Sequence, residues 1–97
     1  MRMMVKVTIG AKAGNQGIKD GSLPKTMEAF MQQHKPEAAY FTTEGGERTA
    51  FFVINMADGS AMPSVAEPFF QALGAEVDFR PVMNADELRA GLQKLPH

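Results

Sequence analysis

The chain has no cysteine, so disulfides, thiolate zinc sites and cysteine nucleophiles are excluded at once. Neither charge sign is in surplus: 10 Lys and Arg stand against 11 Asp and Glu. Without a basic excess, the generic pull on a phosphate backbone is missing. No apolar run approaches the roughly 20 residues of a membrane span. The opening Met1-Arg2-Met3-Met4-Val5-Lys6-Val7 is interrupted too often for a signal peptide. These absences predict a cytoplasmic protein that engages neither membrane nor nucleic acid. Histidine is scarce, and His34 and His97 lie too far apart for metal-ligand spacing, so no metal is expected. No cofactor is expected either. Gly10, Gly14 and Gly17 around Lys12 match neither the P-loop nor the dinucleotide spacing. That stretch reads as a loop, leading at most into a weak helical turn.

What is present is a hairpin. Glu44-Gly45-Gly46-Glu47 joins two strand-like runs, Ala38–Thr43 and Arg48–Asn55, and Gly-Gly suits a two-residue turn with positive φ at both central positions. The turn sets Tyr40 opposite Phe51, Thr42 opposite Thr49 and Ala38 opposite Val53. The other face of the hairpin, with Ala39, Phe41, Ala50, Phe52 and Ile54, is apolar. Met3, Val5, Val7 and Ile9 alternate with Met4, Lys6 and Thr8, the pattern of a half-buried strand. Val77, Phe79 and Pro81 alternate with Glu76, Asp78 and Arg80 in another.

Between the strands, Ser22 can cap a helix with Pro24 in its first turn. Leu23, Met27, Phe30, Met31 and His34 form its apolar stripe, and Lys35-Pro36 ends it. A helix from about Pro63 to Leu73 shows Val65, Phe69 and Leu73 on one side, Pro68 as a kink and Gly74 as a stop. Asn84 caps a last helix to about Leu95, with Leu88 and Leu92 predicted to face inward. The 97 residues therefore form one domain, 1–97, of the α+β class. Its order βαββαβ plus a C-terminal helix is the ferredoxin-like arrangement. Right-handed crossovers put both main helices on one face of a four-stranded antiparallel sheet. Val5, Val7, Phe41, Phe52, Ile54, Val77 and Phe79 should pack beneath them, each large side chain contributing about 1.5–3 kcal/mol. Eight methionines add adaptable packing.

The opposite face collects Met4, Lys6 and Thr8, then Tyr40, Thr42, Thr49, Phe51, Val53 and Asn55, then Glu76, Asp78 and Arg80. Phe51 and Val53 fall mid-sheet, and an exposed apolar patch there marks an interface. Two such faces brought together make a homodimer, with Met4, Thr8, Phe51 and Val53 in its seam and a partly polar cavity between. Lys6 with Arg80 can hold a carboxylate, oriented by Tyr40 and Asn55. The competing arrangement pairs these cations with Asp78 and Glu76, within the chain or across the dimer seam. His34 sits on the apolar stripe at a helix C-terminus, where the dipole favours a cation, and it lacks the partner of an acid–base site. No catalytic residue is assigned, and whether the chain is an enzyme stays open.

Gly14-Asn15, Ile18-Lys19-Asp20-Gly21-Ser22, His34-Lys35-Pro36-Glu37-Ala38-Ala39-Tyr40-Phe41 and Ala66-Glu67-Pro68-Phe69-Phe70 are similar to segments of a family of short bacterial proteins of unassigned activity. That family resembles the dimeric α/β barrels, whose ferredoxin-like subunits pair through their sheets. Relatives by fold are muconolactone isomerase-like proteins, small cofactor-free monooxygenases and stress-responsive barrel proteins. The resemblance implies the fold and the dimer and carries over no catalytic residue. Two functions follow as expectations, a barrel binding a small apolar or aromatic acid between its sheets and a non-catalytic assembly module, while a third, RNA binding, is disfavoured. RNA-recognition modules share βαββαβ, yet Arg48-Thr49-Ala50-Phe51-Phe52-Val53-Ile54-Asn55 lacks their glycine and the aromatic that follows it.

Overall fold

Strict alternation in the first strand is what organises the molecule. The computed structural model describes residues 1–96, and His97 lies outside the described residues. In chain order the elements are β1 (Arg2–Ile9), α1 (Ala11–Asp20), α2 (Ser22–His34), β2 (Ala38–Glu44), β3 (Glu47–Asn55), α3 (Met62–Leu73), β4 (Glu76–Pro81) and α4 (Ala85–Gln93), with a short 3₁₀ turn at Gly59–Ala61. The four strands form one sheet in the order β2-β3-β1-β4. Every neighbouring pair is antiparallel. The first and third strands occupy the middle, as the sequence predicts.

Met3, Val5, Val7 and Ile9 of β1 are buried, together with Ala50, Phe52 and Ile54 of β3. Phe30 of α2 and Val65, Phe69 and Leu73 of α3 close over them. The Phe30 ring lies 4.5 Å from Phe52 and 5.0 Å from Phe69, tilted against both. Aromatic pairs at such separations add about 0.5–1.5 kcal/mol to their area burial. The helices thus cover one sheet face, and among the described residues no layer covers the other.

The hairpin has the register read from its turn: Tyr40 pairs with Phe51, Thr42 with Thr49 and Ala38 with Val53. Gly45 and Gly46 have φ of 60° and 81°, the left-handed values that only glycine adopts freely. Asn84 caps α4 as expected. Its side chain accepts from the Glu87 N–H at 2.8 Å while Glu87 accepts from the Asn84 N–H at 2.9 Å, a reciprocal capping box.

Several expectations need correction. Residues 11–20 are a full helix, not a loop. Gly14 and Gly17 of α1 are buried, and a side chain at either would meet Arg48 or Leu23 and Leu73. The glycines let the helix settle closely, and that contact outweighs their poor propensity. Ser22 is not the cap of α2 but its first residue; the Asp20 carboxylate accepts its N–H at 2.8 Å. Hydrogen bonding from the Ser22 side chain, with that from its backbone N–H, holds Asp20 below the usual carboxylate range.

Phe41 points to the helix side but is 60% exposed. It stands on the edge strand β2 beyond the reach of the helix layer, with the Phe52 ring edge-on at 5.8 Å as its aromatic neighbour. Leu88 and Leu92 do not face inward. They are 46% and 52% exposed, because α4 leaves the body instead of folding back on it. α3 runs without interruption through Pro68.

Candidate functional site

Pairing across the uncovered face generates rows of side chains. One row is Tyr40, Phe51, Lys6 and Asp78; the next is Ala38, Val53, Met4 and Arg80. Lys6 and Arg80 are therefore diagonal neighbours, a relation that spans roughly 7–8 Å between strands. A recess of about 400 Å³ opens here, lined by Met4, Lys6, Phe51, Asp78, Phe79 and Arg80. Two cations, one carboxylate and an apolar floor thus meet on three adjacent strands.

The cations differ in what they already hold. Lys6 Nζ lies 2.5 Å from a Glu44 carboxylate oxygen and 6.0 Å from the centre of the Phe51 ring. Its charge is met by an acid at the hairpin turn, not by Asp78. Arg80 is exposed and, among the described residues, makes no ion pair. Among the described residues, no ion pair joins Asp78 to Arg80 within the chain. A free guanidinium beside an apolar floor can take a carboxylate in the bidentate geometry that Lys cannot provide.

Tyr40 and Asn55 do not line the recess. Tyr40 stands one strand away, beside Phe51, with 69% of its surface exposed. Asn55 lies opposite Arg2, and its Oδ1 accepts from the Met1 amino group at 3.0 Å. Of the four residues expected to bind a ligand, the structure brings Lys6 and Arg80 together. Glu44, the partner of Lys6, was missed although its signal was present. The alternation Ala38, Tyr40, Thr42, Glu44 continues the open face directly into the turn.

His34 lies elsewhere, in a recess of about 530 Å³ between α2 and α3 that Lys25, Thr26 and Gln71 also line. Its ring packs on Phe30 at 4.7 Å, and its Nε2 is shielded without a hydrogen-bond partner. No carboxylate lines that recess to orient the imidazole, so the placement is that of a packing residue on the α2 stripe.

A third hollow, about 490 Å³ and almost wholly apolar, runs between α2 and the edge strand β2. Leu23, Met27, Met31 and Phe41 form its walls. Nothing in the sequence marked it, because its residues come from two elements whose spacing only the fold reveals. At the far end of the sheet, the Arg2 guanidinium bonds both Glu37, ahead of β2, and Glu87 of α4. Among the described residues no cluster of His, Asp and Glu is placed to hold a metal, and no helix is long and apolar enough to cross a membrane. No protein-family model matches the chain, and no match is found among curated proteins.

Proposed function

We propose that this chain is one half of a homodimeric α/β barrel whose ferredoxin-like subunits face each other through their open sheets and bind a small apolar or aromatic acid between them. The observation that carries the reading is the recess on the uncovered face, which Arg80, without an ion pair among the described residues, lines together with Met4 and Phe51. The strand order β2-β3-β1-β4 supports the subunit topology. The resemblance to short bacterial proteins of the barrel group points the same way. Arg80 takes the carboxylate, Phe51 and Met4 take the apolar body, and Lys6 supplies a second positive charge tempered by Glu44. The reading assigns binding and no reaction.

Titration with benzoate and related aromatic carboxylates, followed by NMR shifts of the β1 and β4 amides, tests it. A charge-assisted hydrogen-bonded pair is worth about 1.5–3 kcal/mol, so Arg80→Ala should weaken binding by about ten- to a hundredfold. Lys6→Ala should weaken it less. Affinity that is indifferent to both changes would overturn the assignment. A dimer whose amides ignore every carboxylate would instead favour the assembly module, for which the Lys6–Glu44 pair and the apolar remainder of the face suffice.

A further inference from the structure

α4 is an amphipathic helix with no surface of its own chain to cover. Leu88 and Leu92 recur at i and i+4 on one face of the helix, and Leu95 follows two residues beyond its last residue, Gln93. All three are exposed, as is Met83 just before the helix. A helix this short is marginal in water by itself, yet this one carries a complete capping box and is tied to β1 through Arg2 and Glu87. The chain therefore presents a formed apolar rod to solvent.

The same chain presents an apolar groove, the one walled by Leu23, Met27, Met31 and Phe41. Its own α4 cannot fill it. The arm departs beside Arg2, where the Val82 N–H donates to the Arg2 carbonyl, whereas Ile9, at the other end of β1, borders the groove. Seven residues of strand separate these points, roughly 23 Å, and the groove lies at the opposite sheet edge, three strand spacings or roughly 14 Å away. A nine-residue helix reaches only about 14 Å. Arm and groove occupy diagonal corners.

The chain exposes more surface than a compact monomer of its mass. The chain exposes 6486 Å², where a compact monomer of 10.6 kDa exposes about 5,500 Å². The surplus, about 1,000 Å², is close to the roughly 800 Å² that each partner loses in an interface of standard size. The radius of gyration, 15.4 Å, likewise exceeds the value of about 12.5 Å for a globular chain of this length.

We infer that α4 is an exchange arm: each subunit seats Leu88, Leu92 and Leu95 in the α2–β2 groove of a second copy. Rod and groove occur once per chain, so reciprocal seating closes a two-fold dimer and leaves neither unfilled. The inference rests on the homodimer proposed above and adds to it a contact outside the sheets.

The absence of cysteine makes the test clean. Full-length Leu92→Cys and Met31→Cys proteins are mixed, allowed to exchange subunits and oxidised. Each chain has one thiol, so a product of twice the 10.6 kDa subunit mass reports approach between copies. The mixture should cross-link about tenfold faster than either protein alone, since seating raises the local thiol concentration into the millimolar range. A mixture no faster than its components would overturn the arm. Phe51→Glu, on the sheet face, is measured alongside by sedimentation. A dimer that needs Phe51 but does not cross-link rejects the arm and spares the barrel. Cross-linking with a mass indifferent to Phe51→Glu rejects the barrel and spares the arm. A wild-type monomer at micromolar concentration rejects both.

Discussion

A methyl group at Gly17 would sit 3.0 Å from Leu23 Cβ and 3.2 Å from Leu73 Cδ2. Leu23 Cβ is anchored to the backbone of α2 and has little room to retreat. At Gly14 the obstacle is the guanidinium end of Arg48, which can swing aside at the cost of its 3.1 Å hydrogen bond to Asn15. Alanine gains about 1 kcal/mol over glycine inside a helix, and crowding a packed site costs about 1–3 kcal/mol. Gly17→Ala should therefore destabilise the protein by about 1 kcal/mol, and Gly14→Ala should be close to neutral. Urea midpoints of the two variants check this; equal shifts would contradict it. These residues also show where sequence reading stops. Three glycines in eight positions argue for a loop by propensity. What makes α1 a helix is close approach to Arg48 and Leu73, residues far along the chain.

At the scale of elements, the determinants that were legible are local ones. Gly45-Gly46 sets the hairpin register, and Asn84 with Glu87 starts α4, each within four residues. The alternation of β1 likewise announced its buried side. Glu87 makes α4 sensitive to acid. The Asn84 backbone N–H holds its carboxyl below the usual range, and the Arg2 charge adds to that. A carboxylate depressed in the folded state stabilises it above the unfolded value of about 4.3, and this contribution is lost as pH falls through the lower folded value. The arm should fray below about pH 4 while the sheet persists. Amide exchange at Leu88–Gln93 reads this, and Glu87→Gln should flatten its pH dependence. Protection of those amides that stays level from about pH 5 to about pH 2 would contradict it.

For the molecule as a whole, periodicity tells that a face wants cover but not who covers it. Leu88 and Leu92 form a stripe, and so does the Phe41 side of the hairpin. Assigning Leu88, Leu92 and Phe41 itself to the subunit's own core was the natural inference, and these three proved exposed, whereas Ala50, Phe52 and Ile54 on the Phe41 side are buried. The recess was half legible: Lys6 and Arg80 share it because strand parity put them on one face. Tyr40 and Asn55 share that parity but stand at other positions across the sheet. Stability should depend on concentration if two copies complete each other, because association favours the folded form by mass action. Calorimetry across about a hundredfold dilution should show a falling Tm for the wild type. A chain carrying Leu88→Asp and Leu92→Asp should show a weaker dependence. A wild-type Tm that ignores dilution would contradict the paired assembly.

The bond network at Arg2 gives the free subunit a salt-dependent silhouette. One guanidinium holds Glu37 and Glu87 together at the surface, and exposed ion pairs are weak and screened beyond about 8–10 Å at ordinary ionic strength. The pivot that aims α4 is thus a soft one, firm in dilute buffer and loose in brine. Small-angle scattering should register a shorter maximum dimension, on average, as electrolyte frees the strut to swing.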